Sequence, residues 1–325
     1  MTRYTLSIAE TCRLLDREPE GVARARGGGR ESPSASGRLS PAAVRDLLRT
    51  AGVPVVFRCV AVMNLKGGVG KTTSALSIAS RAVQYGFRTC LVDLDAQASA
   101  TLALGGAPAD GDPIFRDVWA SPAERVSPAL REIQEFFSLL PSALENSMLD
   151  VDLVKPGSQK RAVAGVADAI RTLGFDLVVL DCPPSLGAAS ISAACAADVI
   201  VVPAGNDAFS LRGIELTMEE VAAIRQTFGL GAVEVRILST MVDSRELLAA
   251  RYLEAMSQRY ADRLLPGFIR RSTEFSKALE RRETVFASPR KSGAKDDYDR
   301  VTRALLGLDG AALRGSARRA AALPA

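Results

Sequence analysis

The chain has 325 residues, 47% of them hydrophobic and 24% charged, with a formal net charge of +4. That is enough for one large domain, or one domain with a small companion, around a substantial core. There is no histidine, which excludes His-based triads and His metal sites and leaves carboxylates, lysines, metal and water for any chemistry. Five scattered cysteines (Cys12, Cys59, Cys90, Cys182, Cys195) form no Cys-x-x-Cys pair and read as reduced core thiols. No signal peptide is expected, and no uncharged apolar run is long enough to cross a bilayer. The expectation is a cytoplasmic protein without a membrane partner.

Residues 1–52 read as a small α-rich unit. A first helix is predicted over 6–15, capped by Ser7 or Thr5, and a second over 20–25 behind Pro19, carrying Arg24 and Arg26. A Gly/Ser-rich link at 27–37 leads to a third helix over 42–50, opened by Ser40-Pro41. The arrangement resembles a compact helix-turn-helix of the winged MerR-like kind, whose second helix would enter a major groove. It also fits an extension that packs on the core or dimerises, with the link as a plain tether.

Residues 53–308 alternate strand and helix, the pattern of an α/β fold with a mostly parallel sheet flanked by helices. Strands are predicted at 55–63, 88–93, 136–140, 175–180, 198–203 and 233–241, with a short one at 264–269. Helices are predicted at 74–83, 159–173 and 211–228, after residue 245, over the basic stretch past 269, and at 294–306. The Ala/Arg/Gly-rich tail, 309–325, is expected to fray.

The first of these strands runs into Asn64-Leu65-Lys66-Gly67-Gly68-Val69-Gly70-Lys71-Thr72-Thr73 and then a helix. Strand, glycine loop and helix make a phosphate cradle: glycines let backbone N–H groups face a polyphosphate, and the helix N-terminus adds partial positive charge. Lys71 would reach the β- and γ-phosphates and the Thr72 hydroxyl would ligate Mg²⁺. Leu65 stands where the plain P-loop pattern has its first glycine, and an additional lysine, Lys66, opens the loop. This Lys-Gly-Gly-x-Gly-Lys-Thr-Thr form resembles the deviant P-loop of the ParA/MinD ATPase family, over about residues 55–306. The resemblance implies a P-loop NTPase fold binding ATP and Mg²⁺ through Lys66, Gly67, Gly68, Val69, Gly70, Lys71, Thr72 and Thr73.

Further segments fit that family. Asp181 follows four apolar residues and opens Asp181-Cys182-Pro183-Pro184-Ser185, as a Walker B carboxylate holding the Mg²⁺ shell through water would. Pro183-Pro184 would stiffen a turn that senses the γ-phosphate. In Asp93-Leu94-Asp95-Ala96-Gln97 the resemblance gives Asp95 the placement of the attacking water and Asp93 the support of the metal shell. Ala96 stands where the family often has proline. Lys66 is implied to cross a dimer interface and neutralise charge on the other subunit's nucleotide, giving an ATP-sandwich homodimer. Met241 and Asp243 are implied to lie near the adenine.

Charge is uneven along the chain. Residues 51–244 carry fifteen Lys/Arg against twenty-one acids, residues 245–303 fourteen against nine. A basic C-terminal third on an acidic core suggests a polyanion partner, although charge runs are also ordinary solvated faces. The candidate DNA contacts are Arg245, Arg270, Arg271, Lys277, Arg281 and Arg282; Glu274 falls where the resemblance would put a DNA-contacting arginine. The function implied is partition of a replicon. The ATP-bound dimer would coat nucleoid DNA non-specifically and a ParB-like activator would trigger hydrolysis, with residues 1–52 available for operator DNA. Alternatives are the same ATPase moving a protein cargo (a chemoreceptor array, a carboxysome) or a nucleotide-switched DNA-binding regulator. A MinD-like membrane cycle is disfavoured, because 311–319 has too little apolar bulk for an amphipathic anchor.

Overall fold

The computed structural model describes residues 4–16, 22, 37–207 and 210–309. Strands β1 (Leu6–Ser7) and β2 (Arg38–Leu39) pair antiparallel. Strands β3 (Arg58–Val62), β4 (Thr89–Asp93), β5 (Arg131–Gln134), β6 (Phe137–Leu140), β7 (Leu177–Asp181), β8 (Val199–Ala204) and β9 (Glu234–Ser239) form one sheet, ordered β5-β6-β4-β7-β3-β8-β9. Every neighbour pair is parallel except β5–β6. β3 therefore lies between β7 and β8, and the loop that follows it opens at the middle of the sheet's C-terminal edge. That edge is where an open parallel sheet binds ligands.

The inner strands are apolar on both faces because both faces are covered. Val60, Val62, Leu91, Leu177 and Val179 point into one core; Cys59, Ala61, Met63, Val92, Val178 and Leu180 point into the other. The named helices are α1 (Ile8–Leu15), α2 (Pro41–Thr50), α3 (Lys71–Gln84), α4 (Pro156–Thr172), α5 (Ala188–Ala196), α6 (Ser210–Thr227), α7 (Leu247–Tyr260), α8 (Thr273–Glu280) and α9 (Gly293–Leu306). Helices α1, α2, α3 and α9 supply the first core, and α4 to α7 the second.

The chain before residue 52 shares the first core: Leu6, Leu14, Leu39, Val44 and Leu48 are buried with Ile78, Tyr85 and Tyr298. Ser7 and Glu10 close a capping box on α1, and Ser40 with Pro41 starts α2. The unit thus packs against the sheet-covering layer rather than standing off on a tether. Arg45 of α2 pairs with Asp176 at the foot of β7 and donates to the Gly86 carbonyl (3.0 Å). Apart from Val22, which is buried in the first core, the second N-terminal helix, the Gly/Ser link up to residue 36 and the tail beyond 309 lie outside the described residues.

One expected strand is absent and one unexpected strand is present. Residues 264–269 form no strand; Leu264 and the residue that follows the segment, Arg270, meet β9 and the loop after it through two isolated bridges, Ile237–Leu264 and Val242–Arg270. Pro266 lacks an N–H to extend the ladder, and Gly267 turns the chain at φ +76°. Strand β5 was not expected from the sequence, being short, polar and bulged at the sheet edge.

Candidate nucleotide site

The glycine loop spans the gap between β3 and the first turn of α3. Its entry is braced by buried Asn64, whose amide donates to the Pro203 carbonyl (2.7 Å) and whose oxygen accepts from the Lys66 N–H (2.9 Å). Gly68 and Gly70 take φ of +72° and +85°, strained for any side chain, and Gly70 is the N-cap of α3. The Thr240 hydroxyl donates to the Val69 carbonyl (2.8 Å), tying the loop to the end of β9. Next to it, the Met241 Cε lies where it would meet a side chain at Gly70, 3.8 Å from a Cβ placed there.

The two lysines diverge. Lys71 turns inward, 8% exposed, its Nζ donating to the Lys66 carbonyl (2.9 Å). Burial lowers its pKa, against the opposing pull of Asp181 and Asp95. Lys66 turns outward, its Nζ donating to both carboxylate oxygens of Asp207 (2.7 and 2.6 Å).

Asp181 ends β7, in register with Val62 on one side and Asp93 on the other. It is fully buried, and among the described residues neither carboxylate oxygen has a hydrogen-bond partner. Burial and then the neighbouring Asp93 push its pKa well up, with the Thr72 hydroxyl and Lys71 pulling back only in part. An unpartnered buried carboxylate is costly unless something fills the place beside it. A hard cation held by oxygen donors is what suits a carboxylate and a threonine hydroxyl, so Asp181 and Thr72 fit Mg²⁺.

Asp93 is committed elsewhere. Its carboxylate accepts from the Thr101 N–H (2.8 Å), the Thr101 hydroxyl (2.7 Å) and the Asp95 N–H (3.1 Å). Burial raises its pKa despite these three bonds. Asp93 therefore positions the Asp95 loop. Asp95 is half-buried; its carboxylate accepts the Gln97 N–H (3.0 Å) and its carbonyl takes the Ser142 hydroxyl (2.6 Å).

The structure thus gathers the glycine loop, Lys71, Thr72, Thr73, Asp95, Asp181 and Met241 at one edge. Asp243 is nearby in sequence, but its carboxylate is bound by the Arg245 guanidinium (2.8 and 2.6 Å), which holds its pKa down at about 2. The six cations considered for DNA fall into two sets. Arg245 is spent on Asp243, and Arg270 clasps buried Asp297 through two bonds (2.7 and 2.9 Å). Arg271, Lys277, Arg281 and Arg282 are exposed and have no carboxylate partner among the described residues. Sequence reasoning missed Asp207, Thr101 and Ser142. An acid just past β8, the strand beside β3, was the available signal for Asp207.

A glycine loop opening a helix at the centre of a parallel sheet, an orphaned carboxylate at the end of the next strand and a half-buried aspartate on the same edge make the arrangement of a P-loop nucleoside triphosphatase. Comparison with known proteins agrees. The AAA domain family matches residues 57–231. Sporulation initiation inhibitor protein Soj of Bacillus subtilis is 27% identical, over 73% of this chain and 94% of its own length. Cell division protein PomZ of Myxococcus xanthus is 31% identical, over 72% of this chain and 73% of PomZ. Among solved structures, cobyrinic acid a,c-diamide synthase of Mycobacterium smegmatis, bound to an ATP analogue and magnesium, is 29% identical. It superposes with a TM-score of 0.62 over 77% of this chain and 95% of that one. The chain belongs to the ParA/Soj-type family of P-loop partition ATPases.

Proposed function

We propose that the chain is a Mg-ATP-dependent ATPase that closes as a homodimer around two nucleotides, binds duplex DNA without sequence preference and partitions a replicon with a ParB-like activator. The observation that carries this reading is the divergence of the two loop lysines. Lys71 sits in the cradle beside Asp181, whereas the Lys66 ammonium lies outside it, on the rim. A second lysine so placed serves a nucleotide on another copy better than its own.

The rim supports a closing surface. Leu144, Val151 and Val154, past β6, are each more than 60% exposed, and so are Leu247 and Leu248 at the start of α7, past β9. All follow C-terminal strand ends, on the edge that carries the loop. Large apolar side chains exposed at this density mark a surface that becomes covered.

Within the site the roles divide by chemistry. Lys71 neutralises the transferring phosphoryl group, and the loop N–H groups orient it. Asp95 orients the attacking water in line, its backbone fixed by Asp93 and Ser142. Asp181 and Thr72 would hold the magnesium ion, which supplies neutralisation of phosphate charge when bound. Met241 flanks the loop where a base could lie against it. The four exposed cations, Arg271, Lys277, Arg281 and Arg282, suit phosphate contacts.

The test is the oligomeric state by sedimentation with magnesium and a non-hydrolysable ATP analogue. A dimer is expected with nucleotide and a monomer without; a monomer at saturating nucleotide refutes the reading. A protein cargo is the second reading, favoured by the similarity to PomZ, a cell division protein, and by Glu274 at the position where an arginine was expected. Co-purification with a ParB-like protein and its DNA site would decide for the replicon.

A further inference from the structure

The first core's outer side carries a feature the nucleotide site does not use. Between α1 and the loop leading into α9 lies a cleft of about 460 Å³. Eight basic side chains line it against three acids, Glu10, Asp296 and Asp299. Two of those acids are already spent: Glu10 and Asp299 both bind Arg81, the buried arginine on the last turn of α3. Arg13, Arg290, Lys291 and Arg303 have no carboxylate partner among the described residues, so the cleft keeps a strong positive excess.

Two buried polar atoms of its lining residues, the Ser292 hydroxyl at the N-cap of α9 and the Arg303 Nε, make no hydrogen bond among the described residues. Both residues line the basic cleft, where side-chain donors suit anionic oxygens. The loop that presents Arg290 and Lys291 is pinned by Lys295, whose Nζ donates to the Ser288 and Arg290 carbonyls. The same loop borders an adjoining cleft of about 280 Å³, lined by Lys277 and Arg281 together with the acids Glu274 and Glu283. Basic side chains outnumber acids in both clefts, from the N-terminal unit to α8.

The chemistry of the lining selects among anions. The aromatic residue of the larger cleft, Phe286, is buried with the Arg81 guanidinium stacked over its ring, so no exposed ring is offered to a base. Nucleotide and single-strand sites rely on such rings. Charge without stacking, spread over two joined clefts, suits the regularly spaced phosphates of a duplex backbone.

We propose that this cleft seats the phosphate backbone of duplex DNA, and that the N-terminal unit and the loop into α9 build it together. The inference rests on the DNA-binding reading above and locates the contact on Arg13, Arg290 and Lys291, which that reading does not name. The Arg81 node lies about 15 Å along α3 from Lys71, so the seat is separate from the nucleotide site.

The experiment compares the wild type with the triple variant Arg13→Glu/Arg290→Glu/Lys291→Glu, each full length with magnesium and a non-hydrolysable ATP analogue. Anisotropy of a labelled mixed-sequence duplex is followed from about 50 to 300 mM salt, where each lost phosphate contact removes about 0.9 from the log–log slope. The triple variant should bind at least about tenfold more weakly, with a slope reduced by about 2 to 3. Arg161→Glu on α4, across the sheet, should bind as the wild type does. Circular dichroism checks folding; if the triple variant fails to fold, Arg290→Gln and Lys291→Gln singly should each lower the slope by about 1. A wild type that binds with a triple variant equal to it in affinity and slope overturns this seat and leaves the DNA reading standing. A wild type that binds no duplex overturns both.

Discussion

Replacing Lys66 by alanine separates two consequences whose sizes differ greatly. In the free chain Lys66 pairs with Asp207, and both side chains are well wetted, 33% and 48% exposed. Losing an ion pair of that kind costs about 0–1 kcal/mol, a melting shift of at most about 2–4 °C. Asp207, its side chain half exposed, adds little burial penalty. If Lys66 neutralises charge on the partner's nucleotide, the loss resembles that of an arginine finger, about 10³–10⁵ in kcat, or about 4–7 kcal/mol of barrier. Lys66→Ala should therefore keep its melting temperature and bind a fluorescent ATP analogue within a few-fold of the wild type, yet release almost no phosphate. Mixing makes the test specific for action across subunits. Lys66→Ala and Asp95→Ala are each inactive alone, but a mixed dimer holds one intact site: the first chain's Asp95 with the second chain's Lys66. Equal mixing should restore about a quarter of wild-type turnover, since half of the dimers are mixed and each has one working site of two. Wild-type turnover by Lys66→Ala alone, or a mixture that stays inactive, refutes the argument.

Three further outcomes follow from the geometry. Gly86 sits at φ +81°, and a Cβ there would lie 2.6 Å from the Arg45 backbone nitrogen and 2.8 Å from the Pro41 carbonyl. Gly86→Ala should cost about 2–4 kcal/mol in urea unfolding, through strain and the displacement of α2; an unchanged midpoint refutes the close packing. Arg81, its side chain 4% exposed, bridges Glu10 of α1 and Asp299 of α9. Arg81→Ala leaves two carboxylates facing each other and should cost about 3–5 kcal/mol, with α1 newly open to limited proteolysis; protection equal to the wild type refutes it. Burial and Asp93 raise the Asp181 pKa in the free fold. Its neutral form then favours folding below the unfolded value of 3.8, and that contribution fades as pH rises through the folded value. Metal binding needs the ionised form, so magnesium with ATP should raise the melting temperature more at about pH 8 than at about pH 6. Asp181→Asn should lose that difference, and equal increments in the wild type refute it.

What the sequence disclosed and what it hid divide along a physical line. The inner strands were legible because a strand covered on both faces must be apolar throughout, as Val178-Val179-Leu180 is, and the glycine loop because few other needs place two lysines and two threonines around three glycines. Asp181 was legible from its place after that apolar run. The edge strand β5 was not, since Arg131-Glu132-Ile133-Gln134 gains its structure by pairing with β6 alone. Helix α5 was missed for the opposite reason: nearly all of its small residues are buried, so no polar face marks its period. Partnership was the least legible property. Arg270 and Arg271 are adjacent and identical in kind, yet one guanidinium is clasped by a buried aspartate 27 positions away and the other is exposed, with no salt bridge among the described residues. Asp93 and Asp95, two residues apart, are a buried strut and a half-open carboxylate for the same reason: Thr101 returns to one of them and not to the other. A charged residue's type announces what it can do, but whether the charge is still available for a ligand depends on what the fold has set beside it. Arg13 and Arg290, unremarkable as single letters, become part of one surface only because α1 is docked against α3 and α9 by Arg81.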